Sequence, residues 1–165
     1  MITLLETLVE GADGSYASKQ DLRNLEHAMF SWTDRKEAYL AVQENEDSII
    51  DRAMTMIQAS KTFPAVGGKS APTENRAIDP VRLASCRRDI TLALRYYALG
   101  MLLQDEEMLK DRFIYWQKNV LQAMGLQHYH GVQFVLESIY IELPKEQANL
   151  FKPYFKLGQD IIMSN

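Results

Sequence analysis

From Ser15 to Phe63 the sequence contains neither glycine nor proline. These two residues are the strongest local breakers of regular structure, so an unpunctuated run of this length restricts the chain to a few architectures. Apolar residues within it recur at three- and four-residue spacing, and the period-2 alternation of a half-buried strand is absent. The same holds for Val81–Leu99, Met101–Met124, Val132–Leu143 and the segment after Pro144. The spacing predicts an all-α protein. Its 165 residues fit one domain, spanning 1–165. With 47% hydrophobic residues, the chain can bury a core without disulfides or a structural metal.

The helix starts are legible. Ser18 followed by Asp21 predicts an N-cap and a first-turn acid. Asp79-Pro80 places a capping side chain before proline at the first helical position. Asp105-Glu106-Glu107 sets acids at another start, and Pro144-Lys145-Glu146 opens the last helix. Phe63-Pro64 and Gly67-Gly68 are expected to end the early helical stretch, and Gly125 the Met101–Met124 stretch. Between them, Pro64–Asp79 is the only long loop, a length uncommon in small helical domains and often functional.

Composition closes several classes. Lys plus Arg is 18 and Asp plus Glu 22, a net charge of −4; a dedicated nucleic-acid binder would be basic, so no nucleic-acid partner is expected. No apolar run approaches the length of a transmembrane helix. The start, MITLLETLVEG, has no basic region and does not read as a signal peptide. A single cysteine excludes an internal disulfide and a cysteine-rich metal site. A cytoplasmic location is expected. There is no P-loop, G-x-G-x-x-G, G-x-S-x-G or H-E-x-x-H, so no catalytic residues are assigned and the chain does not read as an enzyme. His128 and His130, two apart, do not share a helix face, and His27 stands alone; no metal site is expected.

Cys86 is the residue with most chemical potential. It lies on an apolar stripe of Leu83, Cys86, Ile90, Ala93/Leu94, Tyr97 and Met101, so it faces inward. A lone inward cysteine commonly serves as a small buried hydrophobe. Its neighbours offer another use. Arg82 and Asp89 share its face, and Arg76, Arg87, Arg88 and Arg95 add positive charge. A thiol among cations has its thiolate favoured, which suits covalent attachment of an anionic, conjugated ligand. The plainer alternative is a helix whose edge arginines face solvent and pair with Asp89. Tyr96, Tyr97, Phe113, Tyr115, Trp116, Tyr129 and Phe134 cluster in the second half and are expected to be core.

The segment Arg82-Leu83-Ala84-Ser85-Cys86-Arg87-Arg88-Asp89 resembles the bilin-attachment segment of the phycobiliprotein family (phycocyanin and allophycocyanin), nearest to its β-type subunits. The family's C-x-R-D, L-R-Y and G-D turn stand here as Cys86-Arg87-Arg88-Asp89, Leu94-Arg95-Tyr96 and Gln104-Asp105. Ala12-Asp13, Tyr16-Ala17-Ser18, Leu22, Leu25, Asn45, Ile49-Ile50, Ala53, Leu109, Arg112, Gly125 and Tyr154-Phe155 extend the resemblance over most of the chain. It implies a globin-like helical domain preceded by a two-helix extension. It implies a phycocyanobilin-like linear tetrapyrrole bound through a thioether at Cys86, Arg88 on a propionate, and Asp89 accepting from pyrrole N–H groups, with Arg82 and Arg87 in the same cofactor-binding segment. The sequence also departs from the family. Gln104 replaces a glycine, Trp116 another glycine and Leu121 a pocket-side tyrosine; the usual Gly-Gly-Asn is Gly67-Gly68-Lys69; and Arg87 is an added charge. These mark a divergent member.

The implied role is light harvesting or another phycobilisome-associated task in photosynthesis, on the cytoplasmic face of thylakoid membranes. The alternatives are a bilin-binding sensor or chromophore-handling factor, and a pigment-free interaction domain. Residues 1–30 are expected to form a helical hairpin outside a core of residues 31–165. Its stripes are Ile2, Leu4/Leu5, Leu8/Val9 and then Leu22, Leu25, Met29, Phe30. Helices this short rarely persist alone in water, and in the family they pair subunits, so a homodimer or a heterodimer with another phycobiliprotein-like subunit is expected.

Overall fold

The computed structural model describes residues 2–12, 16–60, 80–124 and 131–164. Every element among them is a helix. Two short helices come first, α1 (Ile2–Ala12) and α2 (Lys19–Phe30). They are followed by α3 (Trp32–Glu44), α4 (Glu46–Ala59), α5 (Pro80–Leu103), α6 (Glu106–Leu109), α7 (Tyr115–Ala123), α8 (Gly131–Glu142) and α9 (Lys145–Met163). A π-helical turn, Lys110–Ile114, joins α6 to α7.

The caps explain several starts. At α2, Ser18 Oγ accepts from Asp21 N at 3.1 Å, and Asp21 Oδ2 accepts from Ser18 N at 3.2 Å. This reciprocal box satisfies two otherwise orphaned donors. At α6 the Asp105 carboxylate accepts from Met108 N at 2.9 Å. Pro80 and Pro144 stand at the starts of α5 and α9; Asp79 lies outside the described residues.

Two features differ from the expectation. The unpunctuated run is broken at Ser31 and Asn45 without glycine or proline. Short side chains act there instead: Ser31 Oγ donates to His27 O at 2.9 Å and Asn45 Nδ2 to Ala41 O at 2.8 Å. Such local bonds compete with the helical ladder. Second, α5 does not stop at Gly100 but runs to Leu103, and the break is Gln104, whose φ is 50°. Gly100 serves close approach: a Cβ there would meet Leu109 Cδ2 at 3.1 Å. Pro153 and Gly158 both lie inside α9. Within the early stretch α4 ends at Ala59; Phe63-Pro64, Gly67-Gly68 and Gly125 lie outside the described residues.

One apolar cluster joins α3, α4, α5, α7, α8 and α9. α4 packs on α8, α8 on α9, and α5 on both α3 and α9. At the centre Tyr97 stacks on Phe155 (centroids 4.3 Å apart) and meets Phe113 edge-on at 6.0 Å. Offset-stacked and edge-on pairs are the favoured aromatic geometries. Tyr97 fits because residue 158 is glycine: a Cβ there would lie 1.8 Å from the Tyr97 hydroxyl. That hydroxyl is buried with no hydrogen-bond partner among the described residues, and burial raises its pKa far above the usual tyrosine value.

α1 and α2 pack on each other, and α2 also meets α3. They are poorly covered. Leu5, Val9, Leu22, Met29 and Phe30 are all exposed, Phe30 at 77% and Val9 at 69%; Leu8 and Leu25 are half-buried. The side chains of Ile2 and Leu4 lie outside the described residues.

Candidate functional site

The first half of α5 carries the predicted site. Its proline start and the stripe below it orient the helix. Ile90, Ala93, Leu94, Tyr97 and Met101 are buried, while Leu83 and Cys86, on the same stripe, are half-buried and pack against the core. Cys86 therefore sits at the edge of the core, packed against it and partly exposed.

The charged neighbours separate into two groups. Arg88 and Asp89 are exposed, with Arg88 Nε 3.6 Å from Asp89 Oδ1 and side chains 78% and 58% exposed. Among the described residues neither pairs with another helix, so both face outward beside Cys86. Arg87 is committed: its guanidinium reaches across to α4, pairing with Asp51 and lying 3.6 Å from Asp47 Oδ1. Arg82 lies on α5 but its side chain is outside the described residues.

Further along α5, Arg95 makes a two-pronged pair with Glu46, Nη2 to Oε1 at 2.6 Å and Nε to Oε2 at 2.8 Å. Those hydrogen bonds hold the Glu46 carboxyl below the usual carboxylate range, against the opposing effect of partial burial. Arg95 and Glu46 line a cavity of about 420 Å³ with Tyr39, Val42, Gln43, Leu92, Tyr96, Ala98 and Leu99. It lies between α3 and α5 and includes none of the residues predicted to hold a cofactor.

The aromatics divide. Tyr97 and Phe113 are buried, Tyr96 and Phe134 half-buried, and Tyr115 and Trp116 exposed. Tyr96 stacks on Phe113 (4.8 Å, 11°), and Phe113 meets Trp116 at 5.9 Å. Two of the residues expected in the core thus lie on its surface. Leu121 is buried. His27 is exposed; Tyr129, His128, His130, Arg76 and the loop 64–79 lie outside the described residues. Among the described residues no group of His, Cys, Asp and Glu could hold a metal ion, and no helix is long and apolar enough to cross a membrane.

One residue escaped the sequence reading. Arg35, in the first turn of α3, is 2% exposed and donates to Ala28 O, Ser31 O and Leu102 O. Burial pulls its pKa below the usual arginine value, partly countered by Tyr154. The signal was its register: Arg35, Ala38 and Val42 fall on one stripe of α3, and all three are buried.

Taken together, the fold and the half-buried thiol define an all-α, globin-like domain of the phycobiliprotein type. A family model described as "Phycobilisome protein" matches residues 8–160, and the chain belongs to that family. It is 28% identical over 127 residues to the C-phycoerythrin beta chain of Microchaete diplosiphon, covering 76% of this chain and 65% of that one. It is 28% identical to the C-phycocyanin beta chain of Rhodella violacea (76% and 70%) and 24% identical to that of Porphyra purpurea (76% and 70%). The matched part thus spans about two thirds of the length of these relatives, all of them β-chains, which agrees with the β-type resemblance of the Cys86 segment.

Proposed function

We propose that this chain is a bilin-carrying subunit associated with the phycobilisome, with a linear tetrapyrrole held by a thioether at Cys86. The supporting observation is the arrangement on α5: a half-buried thiol on the core stripe, flanked by a cation and a carboxylate, Arg88 and Asp89, that no other helix engages among the described residues. Attachment adds the Cys86 S–H across an exocyclic double bond of ring A; the sulfur–carbon bond forms, the proton goes to the neighbouring carbon, and nothing leaves. The bound bilin supplies the conjugated system that absorbs light. Arg88 neutralises a propionate, a charge-assisted contact, and Asp89 accepts from pyrrole N–H groups. Arg82 lies on the same helix, one turn earlier, within the same cofactor-binding segment. Arg87 secures α5 to α4 and so holds the thiol in place. This is a pigment-carrying role rather than a catalytic one.

The exposed apolar residues of α1 and α2 support a second element of the reading. Leu5, Val9, Leu22, Met29 and Phe30 together form the kind of patch that soluble monomers rarely leave open. Residues 1–30 serve as an arm that pairs with a second phycobiliprotein-like subunit, and residues 31–165 as the pigment-carrying core. The assembly lies at the cytoplasmic face of the thylakoid.

Coexpression with a bilin pathway and its lyases tests the pigment. The wild-type protein is expected to carry colour through denaturing electrophoresis, with fluorescence in zinc, and Cys86→Ala to lose it while remaining folded. A wild-type chain that stays colourless with several bilins overturns the assignment and leaves the pigment-free interaction domain.

A further inference from the structure

α1 and α2 grip the rest of the chain with little apolar surface. Ala28 is the one buried residue of α2, and none of the described side chains of α1 is buried. What meets the end of α2 is a cation. Arg35 donates from Nη2 to Ala28 O at 2.6 Å, from Nε to Ser31 O at 3.3 Å, and from Nη1 to Leu102 O. These carbonyls belong to the last turn of α2, the residue joining α2 to α3, and the last turn of α5. The last carbonyls of a helix lack intrahelical partners and carry the negative end of its dipole. The two helix ends therefore converge on one guanidinium. The Trp32 ring lies 5.5 Å from it, and Gln104 Nε2 reaches Ser31 Oγ at 3.4 Å, closing the joint from the side of α5.

We propose that Arg35 is a positioning residue that sets the angle at which α1 and α2 leave the core, so that pairing through this arm depends on a buried guanidinium more than on apolar packing. This rests on the reading of residues 1–30 as a pairing arm. The planar fork of arginine fixes several acceptors relative to one another, which the single ammonium of lysine does not. A hydrophobic replacement fills the volume but leaves the helix ends unlinked, and Ala28 alone is a pivot rather than an anchor.

The test uses the full chain as wild type, Arg35→Lys and Arg35→Met, with two readouts: pairing affinity by sedimentation, and amide exchange across residues 19–30 against residues 131–163. Arg35→Met is expected to weaken pairing at least tenfold and to speed exchange in 19–30 at least tenfold, with exchange in 131–163 unchanged. Arg35→Lys is expected to fall between. Unchanged pairing and unchanged arm exchange in a folded Arg35→Met chain overturn the proposal. If Arg35→Met does not fold, Arg35→Lys decides: faster exchange confined to 19–30 supports the joint, and wild-type exchange there overturns it. A wild-type chain that stays monomeric alone and with phycobiliprotein subunits refutes the pairing arm, while the exchange comparison still decides what Arg35 holds.

Discussion

The two halves of α5 do different work. From Ile90 to Met101 its inward stripe is sealed, with Ile90, Ala93, Leu94, Tyr97, Ala98 and Met101 all at 4% exposure or less. From Pro80 to Asp89 no described side chain is buried. One continuous helix thus passes from a packed core to a partly exposed surface within a single turn. Burying a large apolar side chain is worth about 1.5–3 kcal/mol, so the second half anchors the helix and the first half contributes less to that anchorage. A site for a bulky ligand needs both: a rigid mount, and side chains that the core leaves accessible.

The largest expected effect strikes the mount. Gly158→Ala places a Cβ 1.8 Å from the Tyr97 hydroxyl and 2.7 Å from its Cζ. The ring is wedged between Phe155 and Phe113 and cannot withdraw. Overpacking of this kind costs about 3 kcal/mol, read as a lower urea midpoint. Combined with Tyr97→Phe the cost should shrink but persist, because the ring carbons still collide. A wild-type midpoint for Gly158→Ala would mean that the core around α5 yields and that the two halves differ less than their burial implies.

Tyr97→Phe alone should act in the opposite direction. An unpartnered buried hydroxyl carries a desolvation cost, and its removal is expected to stabilise the fold by about 1 kcal/mol. A loss of stability would show that the hydroxyl has a partner in solution.

Gln104→Gly sharpens the boundary where the sealed half ends. The φ of 50° at Gln104 costs a residue with a Cβ about 1 kcal/mol, and glycine relieves it at some cost in unfolded-chain entropy. The contact of Gln104 with Ser31 is lost as well. A net gain of about 0.5 kcal/mol is expected, measurable as a small rise in Tm.

The solvent edge of the sealed half should respond to pH. Arg95 holds the folded-state pKa of Glu46 below its unfolded value. The pair therefore contributes stability that is present above the unfolded pKa and is lost as pH falls through the folded one. Arg95 is 65% exposed, so screening limits the contribution to a few tenths of about 1 kcal/mol. Glu46→Gln should flatten the acid limb of the stability–pH curve by that amount, and an unchanged limb would leave the pair without energetic weight.

These contrasts follow what could be read in the residues. Ser18 with Asp21, Asp105 with its acids, and the stripe through Cys86 and Tyr97 announce themselves, because capping and helical period are local. The breaks at Ser31 and Asn45 do not, since either residue is equally at home on a helix surface. Gly100 misleads for the opposite reason: it looks like punctuation, but it sits inside α5 where Leu109 of α6 comes close. Arg35 resembles any solvated arginine until α2 and α5 are seen to end against it. At the site, spacing put Asp89 on the face of Cys86, but only the fold shows that Arg87 is taken by Asp47 and Asp51 while Arg88 and Asp89 are not.

Asp89 provides the finest division between mount and site. It is 58% exposed and faces Arg88 at 3.6 Å, a surface pair worth less than about 1 kcal/mol. Asp89→Ala should therefore leave the urea midpoint within about 0.5 kcal/mol of wild type. Its effect belongs to the pigment: without a carboxylate to accept from the pyrrole N–H groups, the main absorption band of the bilin-loaded protein should weaken and broaden. Stability and spectrum then move independently, as they must if the first half of α5 carries the ligand and the second half carries the fold. A destabilised apoprotein with an unchanged spectrum would reverse that division and place Asp89 with the scaffold.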